Sequence, residues 1–226
     1  MLNNMKNKKV LVVVGHPDDE VLICGGTIRR FYEEGAEVAL MTFTNGADAR
    51  AKSVLGGSGK NRIPLVEEVS KILGISQYKC FDLPDNQLDT IPMLELAQSI
   101  EKFEEEKKFI PDVVITHTLS CLNIDHQLVS KAVLTCFRPK ARKIIILSGE
   151  VVSSTEWSTQ PFIPDVFIDV EKYLDKKKEA LEVYIDELRP PPHPRNWENI
   201  YNKMKVSGSE AGLNFAERFA LMRAVI

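Results

Sequence analysis

The sequence is poor in the features that mark disulfide scaffolds and nucleic-acid-binding proteins. Its four cysteines are far apart and include no CxxC pair, which predicts reduced thiols rather than a disulfide framework. Lysine and arginine number 29 against 32 aspartates and glutamates, so the chain lacks the basic excess of a nucleic-acid binder. We therefore expect no nucleic-acid partner.

Long apolar runs are also missing. No segment approaches the ~20 apolar residues that a membrane-spanning helix needs. The apolar residues 10–14 near the basic N-terminus run directly into Gly15 and His16, and this stretch is too short for the core of a signal peptide. We expect a cytoplasmic protein without a membrane span.

Strand and helix patterns alternate along the chain, which is typical of an α/β fold with a mainly parallel sheet covered by helices on both faces. Continuous β-branched runs, such as 112–116, predict strands that are buried on both sides. Helices are predicted between the strands, among them 26–33 and 171–187, whereas the segment 215–226 fits either a helix or a strand. No linker or internal repeat interrupts this pattern, so we expect a single domain over residues 1–226.

Histidine is scarce as well, with four in the chain, and three of these follow predicted strands. His16 comes just after the first strand, His117 follows the strand at 112–116, and His126 begins the next helix. In open α/β sheets, ligands bind beyond the carboxyl ends of the strands, where the strand order reverses. Histidines that only fill a core would be expected inside an element. These side chains are therefore expected to converge on one crevice.

The residue types at these strand ends suit a catalytic metal. Imidazole and carboxylate groups are the usual ligands of a catalytic zinc, which keeps three protein ligands and one open position. Asp18 and Asp19 are adjacent in a turn, so that one can bind the ion while the other takes a proton from a water molecule. An imidazole such as His117 is a candidate donor to the oxyanion that forms during hydrolysis.

Each half of this pattern also has a structural interpretation. Residues 16–19 could form a strand-ending turn whose carboxylates cap the next helix, and Asp125 and His126 could form an ordinary helix N-terminus. The occurrence of both halves at two strand ends favours the metal site.

Several other motifs have a functional and a structural interpretation. Gly25 and Gly26 could cradle a phosphate, but they lack GxGxxG spacing, which favours close packing. Trp157 is either a sugar-stacking platform or the anchor of a surface loop. His193 and Arg195 lie on a proline-rich, rigid stretch. We expect this stretch to close over the site, and the alternative is a structural turn.

Taken together, the motifs resemble those of the PIG-L/LmbE-like family of zinc de-N-acetylases. The segment GHPDDE at 15–20 is similar to that family's first hallmark, and GGTI follows at 25–28. Thr116-His117 and LNIDH at 122–126 resemble its second hallmark. Shorter matches, spread over nearly the whole chain, are FTNG at 43–46 with Arg50, LPDNQLD at 83–89 and PHPR at 192–195.

The resemblance implies a Rossmann-like, three-layer sandwich with the active site at the C-terminal ends of the strands. Position by position, it implies that His16, Asp19 and His126 are the metal ligands and that Asp18 is the general base. His117 corresponds to a histidine that stabilises the oxyanion or protonates the leaving amine, and Asp125 would orient an imidazole. The remaining matches imply a substrate-binding set made up of Arg50, Asp85, Asn123, His193 and Arg195.

The chain departs from the family pattern at two positions of the second hallmark. Many members have His-Pro-Asp-His, and here Asn123 takes the first position. Members with the Asn-x-Asp-His form often carry an aspartate where this chain has Cys121. These departures leave the metal ligands intact and concern the residue that moves the proton.

We therefore predict a zinc-dependent hydrolase that removes the N-acetyl group from an N-acetylglucosamine-type sugar conjugate, a small molecule. Mixed nitrogen and oxygen ligands also admit Fe²⁺ in place of Zn²⁺. The alternatives are a zinc amidase for a non-sugar N-acyl metabolite and a non-catalytic metal- or sugar-binding relative. The presence of Asp18 argues against the last, because a binding protein needs no base. The sugar's carrier stays open, and an oligomer is compatible with the sequence.

Overall fold

A computed structural model describes residues 2, 4–46, 61–139 and 142–225. Within these ranges seven strands form a single sheet. The strands are β1 (Lys9–Val14), β2 (Glu37–Thr44), β3 (Ile75–Leu83), β4 (Val113–His117), β5 (Ile144–Gly149), β6 (Val166–Asp169) and β7 (Ala216–Val225). The α-helices are α1 (Asp19–Glu33), α2 (Val66–Leu73), α3 (Met93–Lys107), α4 (Ile124–Cys136), α5 (Leu174–Val183) and α6 (Trp197–Glu210).

The sheet has the order β3-β2-β1-β4-β5-β7-β6. The first five strands in this order are parallel, and β7 runs antiparallel to both of its neighbours. Helices α1, α2, α5 and α6 contribute to the core on one face, and α3 and α4 to the core on the other. The predicted α/β fold with a mainly parallel, doubly covered sheet is confirmed. Its strand order reverses between β1 and β4, which is where such sheets bind ligands.

The central strand β1 shows why its apolar run is continuous. Val10, Val12 and Val14 belong to one core and Leu11 and Val13 to the other, and all five are fully buried. A strand with helices on both faces has no solvent side, so the alternation of apolar and polar residues disappears. Burial of each such side chain stabilises the fold by about 1.5–3 kcal/mol.

Helix α1 differs from the prediction, since it begins at Asp19 instead of near residue 26. It contains a kink at Cys24, where φ is −147° and ψ is 26°. Just after the kink, the N–H groups of Gly26 and Thr27 both donate to the carboxylate of Glu217, at 3.0 and 2.7 Å. A Cβ atom at Gly26 would lie 2.9 Å from Val170, so this glycine serves close packing.

The C-terminal third differs from the prediction in two ways and resolves one alternative that the sequence left open. The helix predicted over 171–187 is shorter, because the α-helical part is confined to α5 and a 3₁₀ turn flanks it on each side. The segment that fitted either structure is the strand β7. Helix α6 was not predicted, although Asn196 caps it by accepting the Asn199 N–H at 2.9 Å, a common N-terminal signal. None of the helices in the described ranges is long and apolar enough to cross a membrane.

Candidate metal centre and active site

The histidine-bearing segments meet where β1 and β4 end side by side. Gly15 and His16 lead from β1 into α1, and His117 is the last residue of β4. Asn123 caps α4, since its side-chain oxygen accepts the Asp125 N–H at 2.8 Å. This cap places the first turn of α4, including His126, beside the end of β1.

The ligand atoms of His16, Asp19 and His126 form a small triangle. His16 Nδ1 lies 3.0 Å from Asp19 Oδ2 and 3.1 Å from His126 Nε2, and the third edge, between His126 Nε2 and Asp19 Oδ2, is 3.2 Å. All three residues are buried. Three ligands of a tetrahedral zinc, with bonds of about 2.0–2.1 Å, would lie about 3.3–3.4 Å apart. The donor set therefore fits a divalent ion.

Carboxylates on the far side of His16 fix the direction of its ring. His16 Nε2 lies 2.9 Å from Asp85 Oδ1 and 3.2 Å from Asp125 Oδ2. A proton on Nε2 satisfies both contacts and leaves the Nδ1 lone pair directed into the triangle, as expected for a metal-binding histidine. Burial alone would lower the pKa of His16, but its bonds to Asp125, Asp19 and Asp85 raise that pKa well above the usual value.

Asp125 is itself held by backbone donors. Asn86 N–H and Leu88 N–H donate to its two carboxylate oxygens at 2.6 and 3.0 Å. The loop that contains Asp85 is thereby tied to the first turn of α4. The ligand atoms and the carboxylates behind His16 thus come from three separate segments of the chain.

His126 is supported by a sulphur atom and by a second imidazole. Its Nδ1 lies 3.1 Å from Cys121 Sγ. Its ring stacks on that of His117, with centroids 3.9 Å apart and planes 9° from parallel. Burial would lower the pKa of His126, but Asp19 and Cys121 raise it to about 9. Burial would raise the pKa of the Cys121 thiol, but the contact with His126 and other donors lower it.

His117 is fully buried beside the triangle. Its Nε2 accepts the Gly15 N–H at 2.8 Å, whereas its Nδ1 has no hydrogen-bond partner among the described residues. Burial first, and the neighbouring His126 second, hold its pKa well below the usual value. A ring nitrogen that accepts a hydrogen bond cannot also donate one, so the predicted donor role would require the Nδ1–H.

Asp18 lies next to the triangle and between two arginines. Its Oδ2 is 3.0 Å from Arg195 Nη1 and 3.6 Å from Arg62 Nη1. Glu187 also contacts both guanidinium groups, at 2.8 Å for Arg62 and 3.5 Å for Arg195. Burial raises the pKa of Asp18 more than the arginines lower it, and Asp19 adds to the rise. A carboxylate with a raised pKa suits a general base.

The backbone of Asp18 is also unusual, since its φ is 122°. Non-glycine residues in sparsely populated backbone regions cost about 1–3 kcal/mol and cluster at functional sites. Glu20 helps to hold the turn, because its carboxylate accepts the Asp18 N–H at 3.0 Å. The turn therefore presents Asp18 and Asp19 in different directions.

The structure brings most of the predicted substrate-binding residues to the same edge of the sheet. Asp85, Asn123 and Arg195 make the contacts described above. His193 lies at the rim, where its Nδ1 accepts the Arg195 N–H at 3.0 Å and its ring meets the half-exposed Trp157 at a centroid distance of 5.3 Å. Arg50 lies outside the described residues.

Two residues of the site were not found from the sequence. Arg62 and Glu187 are both buried, yet they belong to no motif, and long-range folding alone places them beside Asp18. An arginine that precedes a proline-containing turn and a glutamate at the end of a charged helix are ordinary surface features, so no sequence signal distinguishes them.

Comparisons with known proteins identify the family of the chain. A family model, described as PIG-L: GlcNAc-PI de-N-acetylase, matches residues 11–137. The chain is 26% identical over 193 residues, 81% of its own length and 84% of the relative's, to "Probable N-acetyl-alpha-D-glucosaminyl L-malate deacetylase 2" of Bacillus anthracis.

Two solved structures share the fold over almost the whole chain. N,N'-diacetylchitobiose deacetylase from Pyrococcus horikoshii superposes with a TM-score of 0.74 at 21% identity, covering 95% of this chain and 84% of that one. GalB, the 4-carboxy-2-hydroxymuconate hydratase from Pseudomonas putida, does so with a TM-score of 0.69 at 19% identity, covering 97% and 98%. The family match extends over more than half of the sequence and includes the His16, Asp19 and His126 positions. The chain belongs to the PIG-L family of GlcNAc-PI de-N-acetylases.

Proposed function

We propose that this N-deacetylase hydrolyses the N-acetyl group of an N-acetylglucosamine-type conjugate and uses a divalent ion, Zn²⁺ in the first instance, held by His16, Asp19 and His126. The observation that carries the proposal is the triangle of ligand atoms, with edges of 3.0–3.2 Å, beside the buried carboxylate of Asp18. The proposed ligand Asp19 and the proposed base Asp18 are neighbouring residues of one turn. Fe²⁺ suits the same ligands.

A divalent ion held by His16, Asp19 and His126 would supply Lewis-acid chemistry, which would lower the pKa of a water molecule and polarise the acetyl carbonyl. Asp18 takes the proton of the attacking water on a carboxylate oxygen, while Arg195 holds the carboxylate in place at 3.0 Å. The C–N bond then breaks, the amine receives a proton, and acetate is the second product. His117 and Asp18 are our candidates for the donor of that proton.

Hydrogen-bond donors for the rest of the substrate lie beside Asp18. The Nε–H groups of Arg62 and Arg195 are buried and have no acceptor among the described residues. A buried donor without an acceptor is costly, so oxygen atoms of a bound sugar conjugate would complete this corner. Asp85 and Asn123 are proposed to face the sugar as well, and His193 with Trp157 to border the entrance.

The proposal of an amino-sugar substrate is supported by the relatives. The family model names GlcNAc-PI, the Bacillus anthracis relative an N-acetylglucosaminyl malate, and the Pyrococcus horikoshii enzyme diacetylchitobiose. Each contains an N-acetylated glucosamine unit. Because a hydratase shares the fold, the fold alone does not select amide hydrolysis, and the family match is what favours deacetylation.

Acetate release from a substrate panel tests the proposal. The panel contains N-acetylglucosaminyl malate, an N-acetylglucosaminyl inositol, diacetylchitobiose, free N-acetylglucosamine and simple non-sugar N-acetyl amides, each with Zn²⁺- and Fe²⁺-loaded protein. We expect turnover of at least one sugar conjugate and none of the non-sugar amides. Preferential cleavage of the non-sugar amides would replace the proposal with the amidase alternative. No acetate from any compound, despite bound metal, would favour the non-catalytic relative.

Arg50 provides a second arm of this test. We propose that it binds a charged group attached to the sugar, since an arginine can hold a carboxylate or phosphate through two parallel hydrogen bonds. Arg50→Ala should then raise KM for N-acetylglucosaminyl malate with a modest effect on kcat, and matter little for the uncharged free sugar. Equal penalties on both substrates would refute this role.

A further inference from the structure

The sulphur of Cys121 occupies the position behind His126 that carboxylates occupy behind His16. Cys121 is 1% exposed, and its Sγ lies 3.1 Å from His126 Nδ1, the ring nitrogen that faces away from the triangle. On the other side of the triangle, His16 Nε2 is held by Asp85 and Asp125. The two imidazoles are therefore supported by different chemical groups.

Donors surround this sulphur. Its close contact is with His126 Nδ1, at 3.1 Å, and the Asn123 backbone N–H and the Thr155 hydroxyl lie near enough to favour negative charge on it. The Thr155 oxygen in turn accepts the Val151 N–H at 3.0 Å, so its hydroxyl hydrogen is free to point at the sulphur. A buried sulphur surrounded by donors acts as a hydrogen-bond acceptor.

An acceptor at this position favours the tautomer of His126 that a metal ligand requires. For Nε2 to offer a lone pair to an ion, the proton must be on Nδ1, and Cys121 Sγ is the atom placed to receive it. The stacked ring of His117 fixes the plane of the His126 ring. Stacking does not fix the direction in which Nδ1 points within that plane, and the contact with the sulphur does. Groups that accept from the far nitrogen of a metal-binding histidine orient the ring and increase its basicity.

We propose that Cys121 is a positioning residue for the metal ligand His126: its sulphur accepts the Nδ1–H, fixes the tautomer and thereby strengthens metal binding. This inference rests on the metal site proposed above. It concerns the strength of metal binding and is independent of the identity of the substrate.

Three substitutions of Cys121 distinguish the loss of the hydrogen-bond acceptor from the loss of side-chain volume. Cys121→Val occupies a similar volume without an acceptor, Cys121→Ala removes both, and Cys121→Ser keeps an acceptor. The matched control is Cys136→Ala, a buried cysteine at the C-terminal end of α4, whose sulphur lies beside Glu104 instead of the triangle. The zinc dissociation constant of the full chain is measured by competition with a chromogenic chelator, and the melting temperature of each apoprotein reports folding.

We expect Cys121→Val and Cys121→Ala to weaken zinc binding by about 10–100-fold, the usual effect of losing such a partner. Cys121→Ser should recover most of that loss, and Cys136→Ala should bind zinc like the wild type. The visible absorption of the Co²⁺-substituted protein should change in the valine and alanine variants and not in the control. A merely structural role would lower the melting temperature without this pattern.

Wild-type zinc affinity in the folded valine or alanine variant would overturn the inference, and so would equal weakening in Cys136→Ala. If the alanine variant fails to fold, the valine and serine variants decide the matter. A wild-type protein that binds no metal would instead refute the metal site itself. A protein that binds zinc but releases no acetate would refute the proposed activity and leave the role of Cys121 to be judged from the affinities.

Discussion

Asp18→Asn is the substitution that most directly tests the proposal that Asp18 is the general base and Asp19 a metal ligand. Asparagine has the same shape, and its amide oxygen can still accept the Arg195 bond that now spans 3.0 Å. Asparagine and aspartate have similar backbone preferences, so the substitution adds little strain to a residue that already has a φ of 122°. The change therefore removes basicity and charge while preserving the turn that places Asp19 among the ligands.

The size of the effect follows from the role of a general base. Proton transfer by a positioned side chain contributes about 10²–10⁴-fold to the rate, and kcat should fall by that amount. Stability should not fall with it. The pKa of Asp18 is raised by burial, so its ionised form is less favourable in the folded protein than in the unfolded chain, and the neutral amide avoids this cost. The arginines keep Glu187 as a partner.

The assay compares three measurements on the same preparation: bound metal by elemental analysis, melting temperature, and the rate of acetate release from the best substrate. Bound metal and melting temperature should match the wild type while the rate collapses. Near-normal turnover would place the base on another residue. Loss of metal together with activity would make Asp18 part of the ligand shell and refute the assignment.

Three further outcomes are expected. The double variant His16→Ala/His126→Ala should lose its metal, and full occupancy by elemental analysis would contradict the ligand assignment. His117→Ala should lower kcat far more than it raises KM in steady-state assays, with metal content unchanged; loss of zinc instead would show that this ring supports the ligands. Lys177→Met should lower the free energy of unfolding by up to about 3–5 kcal/mol, because it removes the ammonium group that lies 2.6 Å from the buried Glu217 carboxylate. That carboxylate would then keep, among the described residues, only its two backbone N–H donors from α1. In the same urea titrations the control Lys176→Met, which removes only a partly exposed ion pair with Glu179, should change stability by less than about 0.5 kcal/mol. Equal effects of the two substitutions would contradict the argument.

The parts of the fold that could be predicted are those with a local physical signature. The β-branched run of β1 indicates burial on both faces, and Gly74 ends α2 in the left-handed conformation, with φ of 83°, as expected of a C-terminal glycine. The start of α1 could not be predicted in this way. Asp19 and Glu20 are polar yet buried in its first turn, because they belong to the site, and a helix that begins with buried acids looks like a loop in the sequence.

The meeting of the histidines could be predicted, because it follows from the topology of the sheet. Parallel strands end at the same edge of a sheet, so histidines after β1 and β4 were expected to meet if those strands were neighbours, and they are. Arg62 and Glu187 could not be foreseen, because they come from connections whose paths depend on the whole fold. Glu187 reaches the site through Arg62, more than a hundred residues earlier in the chain, and such a contact has no local pattern in the sequence.

The difference between ligands and their supports has a physical basis. A ligand must present one particular lone pair to the ion, which restricts it to a few residue types, so ligands form a motif that can be read from the sequence. A supporting residue needs only an acceptor at the right distance from the far ring nitrogen. Asp85 and Asp125 meet that need for His16 with carboxylates, and Cys121 meets it for His126 with sulphur. Because different atoms can do the same work, the support can change without loss of the metal set, and its strength then becomes a property of the individual chain rather than of the motif.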